Sequence, residues 1–257
     1  MSEPDPHSST RSAFGGKELA PQPDPSVLYY ELTAFAVRAG HDLSGPLNQA
    51  ATLVSLFVKT HEQEGGKDPL LLHLKNAAKR MTSLLAGMRC FLEIAGSRPD
   101  FQPASASAAL TACQVLLQKM IMETDARVTS GPLPEVWADD THLIALFSSL
   151  LENALLFRKS GERPVIHISA LRAGAFWSFT IADNGTGIEQ AEAALLPFKR
   201  LSAGHSGELD SEGSGMGLAI ANLIVRLHGG GIAIQSQPGE GTSVTFTLRA
   251  VAEACPQ

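Results

Sequence analysis

The positions best suited to chemistry are one amide, one carboxylate and two groups of glycines: Asn153, Asp183-Asn-Gly185-Thr-Gly187 and Gly213-Ser-Gly215-Met-Gly217. Asn153 lies in an otherwise apolar stretch with Leu150, Leu151, Ala154 and Leu155, so its amide, if buried, needs a polar partner. A hard cation is one such partner, because Mg2+ takes oxygen ligands and shares them among a few protein groups, water and phosphates. Asp183 follows a strand-like run over 176–182, where a carboxylate can accept a hydrogen bond from the amino group of a base. Gly185 and Gly187 allow a tight turn and close approach of backbone to a ligand. The second glycine group opens backbone N–H groups just before a helix N-terminus, whose partial positive charge favours anions. Either glycine run alone is common in ordinary turns. In this order, followed by Gly239-Glu-Gly-Thr242 and an alternating strand, they read as a nucleotide pocket. Far upstream, His41 beside Asp42 supplies a nucleophilic imidazole with a carboxylate that can orient it and take its proton. An isolated His-Asp pair on a helix is usually a solvated pair; the pocket downstream is what gives this one a role.

Elements must hold these groups. Residues 1–26 contain five prolines, Gly15-Gly16 and many small polar residues, too little apolar surface to offset ordering entropy, and read as a flexible tail. From Val27 the apolar residues Leu28, Leu32, Phe35, Ala39, Leu43, Leu47, Ala50, Val54 and Phe57 fall mostly three or four apart, which predicts a long amphipathic helix. Pro46 removes a backbone hydrogen bond within it and predicts a kink just after His41. After Gly65-Gly-Lys-Asp-Pro69, a heptad seam runs through Leu71, Leu74, Ala78, Met81, Leu85, Met88, Leu92 and Ala95. One hairpin cannot enclose seams this long, so a homodimeric four-helix bundle is expected over 27–98, with a monomeric hairpin packed on the C-terminal half as the alternative.

From residue 99 to 251 the pattern mixes helices and strands. Helices are predicted over 104–124, 140–157 and 218–228, the last closed by Gly229-Gly-Gly231, and strands over 136–138, 165–171, 176–182, 232–236 and 243–248. Residues 252–257 read as a second tail. A net charge of −6 gives no basic surface for nucleic acid as the main partner. The three cysteines, Cys90, Cys113 and Cys255, have no metal-ligand spacing and suit a reducing compartment as small buried side chains. The start has no basic-then-apolar signal pattern, and the apolar run 143–157 is short for a bilayer and broken by Glu152-Asn153, so a cytoplasmic chain without membrane insertion is expected.

With these residues in place, the chain resembles the sensor histidine kinases of two-component signalling over nearly all of residues 27–250. The resemblance implies an α+β architecture: an N-terminal helical hairpin for dimerisation and histidine phosphotransfer, then a two-layer α/β sandwich of the GHKL ATPase fold. By it, Leu151-Glu-Asn153-Ala154 is similar to the N box with Asn153 on Mg2+, and Asp183-Asn-Gly185-Thr-Gly187 to the G1 box with Asp183 on adenine. Pro197-Phe198-Lys199-Arg200 looks like the F box, Gly213-Ser-Gly215-Met-Gly217-Leu218 the G2 box, and Gly239-Glu-Gly-Thr242 the last glycine motif. Residues 201–212 would be a mobile ATP lid. His41-Asp42-Leu43, with Pro46-Leu47, matches the H box and makes His41 the phosphoacceptor. The implied activity is ATP- and Mg2+-dependent autophosphorylation followed by transfer to an aspartate of a response regulator receiver domain. Phosphoryl transfer needs mostly positioning and charge neutralisation, to which Lys199 or Arg200 could add. Met1 to Ser26 leave no room for a sensor, so input is expected from an unidentified partner protein or ligand.

Three departures from the family pattern qualify that inheritance. Gly45 stands where phosphatase-competent relatives usually carry Thr or Asn, which implies weak phosphatase activity. Ser149 stands where many kinases carry Asn, and Leu156 where many carry a phosphate-contacting Lys, which implies weaker nucleotide binding unless Arg158 or Lys159 compensates. Ser149 also occupies the position of the water-activating Glu in the hydrolytic GHKL machines, so ATP hydrolysis to water is disfavoured as the function. A non-catalytic dimeric phosphotransfer adaptor with a degenerate ATP site is the remaining alternative.

Overall fold

A computed structural model describes residues 50–60, 69–188 and 215–251. Residues 50–60 are helical (α1), and α2 spans Pro69–Gly96. Proline suits that first helical position, where no N–H is needed. Ala78, Leu85 and Leu92, seven residues apart on α2, are buried, as are Ala51 and Val58, seven apart on α1. Leu53, Leu56 and Phe57 are exposed. The tails 1–26 and 252–257, the helix before residue 50 with its expected kink, and the turn at 61–68 lie outside the described residues.

After α2 come β1 (Gln102–Ser105), α3 (Ala106–Leu116), α4 (Gln118–Glu123), β2 (Arg127–Ser130), β3 (Glu135–Ala138) and α5 (Asp140–Leu156). Then follow β4 (Val165–Ala173), β5 (Phe176–Asp183), α6 (Gly217–Leu227), β6 (Ile232–Gln237) and β7 (Gly241–Arg249). Five strands form one sheet in the order β2-β4-β5-β7-β6, with β2 and β4 parallel and the other pairs antiparallel; β1 and β3 form a separate antiparallel pair.

The strands alternate. Ile166, Ile168, Phe179, Ile181, Val244, Phe246 and Leu248 are buried, whereas intervening positions such as His167, Thr180 and Thr245 are not, so one face of the sheet packs and the other meets solvent. Helix α5 buries Leu143, Leu146, Phe147, Leu150, Leu151 and Leu155 in the same core, joined by residues of α3 and α6. At its centre Phe179 and Phe246, cross-strand partners, stack with centroids 5.2 Å apart, and Phe147 meets each edge-on at 6.2 Å. The result is a two-layer α/β sandwich. The C-terminal end of α2 enters that core: Ile94 is buried in it, with Cys90 and Phe91 packed alongside.

One expectation is corrected and one strand is added. The helix read over 104–124 starts as strand β1, because its first residues find a ladder on β3; Ser105 then caps α3 by accepting from the Ala108 N–H at 3.3 Å. The chain breaks again at Leu117, between α3 and α4. Strand β2 was not legible in the sequence, since four residues with little apolar alternation become a strand only by pairing with β4. Asp139 caps α5, its carboxylate accepting from the N–H groups of Thr141 and His142.

Candidate functional site

Asp183 is the last residue of β5. Its cross-strand partner on β7 is Thr242, which in turn sits opposite Ser236 of β6. Asp183 Oδ1 accepts from the Gly185 N–H at 2.8 Å and the Thr242 N–H at 3.2 Å, which fixes the carboxylate and leaves Oδ2 without a hydrogen-bond partner among the described residues. Burial pushes the Asp183 carboxyl above its ordinary value, against the pull of those two N–H donors. It therefore suits a hydrogen bond to a neutral amino group better than an exposed carboxylate would.

The turn after Asp183 is held on both sides. Asn184 Oδ1 accepts from the Val165 N–H at 2.8 Å while its Nδ2 donates to the Arg163 carbonyl at 3.1 Å. Thr186 donates to the Phe157 carbonyl at the end of α5 through both its N–H, at 2.8 Å, and its hydroxyl, at 3.2 Å. Gly187 has φ +70°, and a Cβ there would collide with the Gln237 carbonyl. A Cβ at Gly185 would lie 2.5 Å from the Phe157 carbonyl. The turn is thus pressed against the ends of both α5 and β6.

Across the cleft, the Asn153 amide lies against Gly217, where a Cβ would come within 2.9 Å of both amide atoms. Asn153 Nδ2 is buried without a hydrogen-bond partner among the described residues. Helix α6 begins at Gly217, preceded by Met216, which provides no side-chain cap, and no acidic residue occupies its first turn. The leading N–H groups of such a helix are suited to an anion. Between these walls lies a cleft open to solvent. Its polar groups are Asn153, Asp183 and Thr242; Leu150, Ala154, Phe157, Ile181, Leu218 and Val244 supply apolar surface. A flat apolar ring with an amino edge on Asp183 and an anionic tail toward α6 matches that distribution of groups.

Of the site residues proposed from sequence, Asn153, Asp183, Gly187, Leu218 and Thr242 line this cleft. Gly185 holds Asp183, Gly217 abuts Asn153, and Gly215, at φ +68°, precedes α6. His41, Asp42, Phe198, Lys199, Arg200, Gly213 and the expected lid lie outside the described residues. Arg158 donates to the Leu155 carbonyl at 3.2 Å and the Lys159 ammonium lies 3.8 Å from Glu162; neither lines the cleft. Ser149 is buried in α5. Sequence reasoning missed Ser236, Asn184 and the Phe157 carbonyl, whose roles arise from contacts across strands and between helix and loop. Among the described residues no group of three or more His, Cys, Asp or Glu could hold a metal ion, and no helix is long and apolar enough to cross a membrane. Burial raises the Cys90 and Cys113 thiols, keeping them protonated, as packing residues should be.

Residues 138–252 match the family described as histidine kinase-, DNA gyrase B-, and HSP90-like ATPase. The chain is similar to sensor histidine kinases of two-component systems. It is 36% identical to cyanobacterial phytochrome A of Nostoc sp. over 222 residues, 85% of this chain and 28% of that protein. It is 28% identical to the sensor histidine kinase ZraS of Escherichia coli over 221 residues, 83% of this chain and 44% of that one. The chain thus spans less than half the length of these relatives. Among solved structures, full-length ShkA in complex with AMPPNP shares the fold, with a TM-score of 0.59, 20% identity, and coverage of 86% of this chain and 47% of that chain.

Proposed function

We propose that this chain is an ATP-dependent protein histidine kinase that phosphorylates itself on His41 and passes the phosphoryl group to an aspartate of a response regulator. The observation that carries the reading is the single cleft that brings the Asp183 carboxylate, the Asn153 amide and the uncapped start of α6 together inside a segment of histidine-kinase ATPase type. The AMPPNP bound by ShkA is in keeping with a nucleotide in such a cleft.

Adenine enters between the apolar walls, with its amino group donating to Asp183. The phosphates extend toward the N–H groups of α6, whose first residue, Gly217, packs directly on the Asn153 amide. Asn153 would offer its amide oxygen to Mg2+, which would neutralise phosphate charge and take its remaining ligands from phosphates and water. The buried Asn153 Nδ2, without a hydrogen-bond partner among the described residues, fits an acceptor brought by a ligand, such as a phosphate oxygen. In the transfer step an imidazole nitrogen of His41 forms a P–N bond to the terminal phosphorus while the bond to the bridging oxygen of ADP breaks. Asp42 accepts the imidazole proton. Residues 27–98 would serve as the dimerisation and phosphotransfer hairpin and 99–251 as the ATP-binding domain; the receiver domain of the regulator would dock near His41 and supply the final acceptor.

The test is incubation of the full chain with Mg2+ and ATP labelled on the terminal phosphate. An acid-labile, base-stable label is expected on the wild type and should vanish in His41→Ala and in Asp183→Ala. A label that survives His41→Ala overturns the acceptor, and an unlabelled wild type that binds no nucleotide converts the reading to that of a phosphotransfer adaptor.

A further inference from the structure

The row Asp183, Thr242, Ser236 runs straight across β5, β7 and β6, yet only its first two members reach the cleft. We infer that Ser236 is a positioning residue that sets the preference of the site for a purine bearing a 6-amino group, an inference that rests on the nucleotide-binding reading above. Its hydroxyl has three neighbours: the Gly241 carbonyl at 2.8 Å, the Ile188 N–H at 2.8 Å and the Thr242 hydroxyl at 3.0 Å.

A serine has one proton to give. The Gly241 carbonyl can only accept, so the network assigns that proton to it, and Ser236 Oγ accepts from both Ile188 and Thr242. The Thr242 hydroxyl proton is thereby turned toward Ser236, and its lone pairs are left for the cleft that Thr242 lines. The backbone N–H of the same threonine holds Asp183 Oδ1 at 3.2 Å. Ser236 also anchors Ile188, another residue of the cleft. One hydroxyl that does not touch the cleft therefore fixes the end of β7, the rotamer of Thr242 and the chain leaving Gly187, and through them the register of Asp183 against the amino edge of a base.

The experiment compares ATP with purine riboside triphosphate, which lacks the 6-amino group, by calorimetric titration of the full chain. Ser236→Ala should weaken ATP by about tenfold, the usual effect of freeing buried donors from one acceptor, and purine riboside triphosphate by no more than about twofold on the same scale. Ser236→Thr, which keeps the hydroxyl on a strand, should return ATP affinity to within about threefold of wild type. Ser236→Cys, which keeps the shape with a poor acceptor, should behave like alanine and serves where Ser236→Ala fails to fold. Equal loss for both nucleotides, or no loss for either, overturns the inference, since a merely structural serine cannot distinguish them. Asp183→Asn separates the two levels. If it removes the preference for ATP while Ser236→Ala does not, only the role of Ser236 fails; if it leaves the preference intact, the adenine-binding reading of Asp183 fails as well.

Discussion

Two glycines with the same backbone sign separate conformational need from steric need. Gly174, at φ +60° in the two-residue turn between β4 and β5, has open space where a Cβ would go, whereas Gly187, at φ +70°, has the Gln237 carbonyl there. Gly174→Ala should cost roughly 1–2 kcal/mol, the strain of a left-handed alanine alone. Gly187→Ala adds a backbone collision and should cost roughly 2–5 kcal/mol in all, combining that strain with overpacking. It should also displace the turn that carries Thr186 and Ile188. Urea unfolding of the two variants measures the difference; equal costs would show that the contact between Gly187 and Gln237 is not formed in solution.

Where α2 meets the sandwich, three elements share a cluster of titratable groups. Ser97, just past α2, gives its hydroxyl proton to the Ile94 carbonyl at 2.8 Å, so it accepts from His142 Nε2, 3.0 Å away at the start of α5. His228, at the end of α6, accepts the Asp139 N–H on Nε2 at 3.2 Å and therefore donates from Nδ1 to the Ile224 carbonyl at 2.8 Å. The two rings lie 5.6 Å apart, both buried, and His142 Nδ1 has no hydrogen-bond partner among the described residues. Burial lowers both imidazoles below their ordinary range, with the Asp139 carboxylate opposing only in part. Burial would raise the Asp139 carboxyl itself, but its hydrogen bonds from Thr141, Asp100 and His142 outweigh that and hold it at about 2. The signs follow. Below the unfolded histidine value of about 6.5 the unfolded chain binds more protons than the native one, so stability is complete above that pH and is lost as pH falls through the lowered native values. The Asp139 contribution persists until pH falls from the ordinary carboxylate range toward 2. Urea unfolding between pH 5 and 8 should show stability rising with pH, with a shallower rise in His228→Gln; a profile flat below pH 6.5 would contradict the neutral, buried pair.

At the scale of the whole molecule, the outward apolar surface of α1 is the feature a single chain leaves unexplained. Leu53 and Leu56 are 64% and 55% exposed, while Ala51 and Val58 on the same helix are buried. A second copy covering that surface would form the proposed four-helix bundle. The 27.2 kDa chain should then sediment as a dimer at micromolar concentration, and Leu53→Glu with Leu56→Glu should give a monomer that still binds nucleotide, since α1 contributes nothing to the cleft. A monomeric wild type would leave the hairpin to pack on its own C-terminal half.

The periodicity of α2 and α5, the alternation of β4, β5 and β7, and the glycine runs beside Asp183 and Gly217 were legible in the sequence because each is a local pattern that repeats with the geometry of its own element. Tertiary structure alone decided the rest. Residues 102–105 and 127–130 became strands through partners distant in the chain, and Ser236 acquired its place only when β6 paired with β7. The placement of Asn153 against Gly217 likewise needed α5 and α6 to close on the sheet. Spacing along a chain encodes which face a residue occupies; which other residue it meets there depends on the packing of the whole, and that is where the cleft is made.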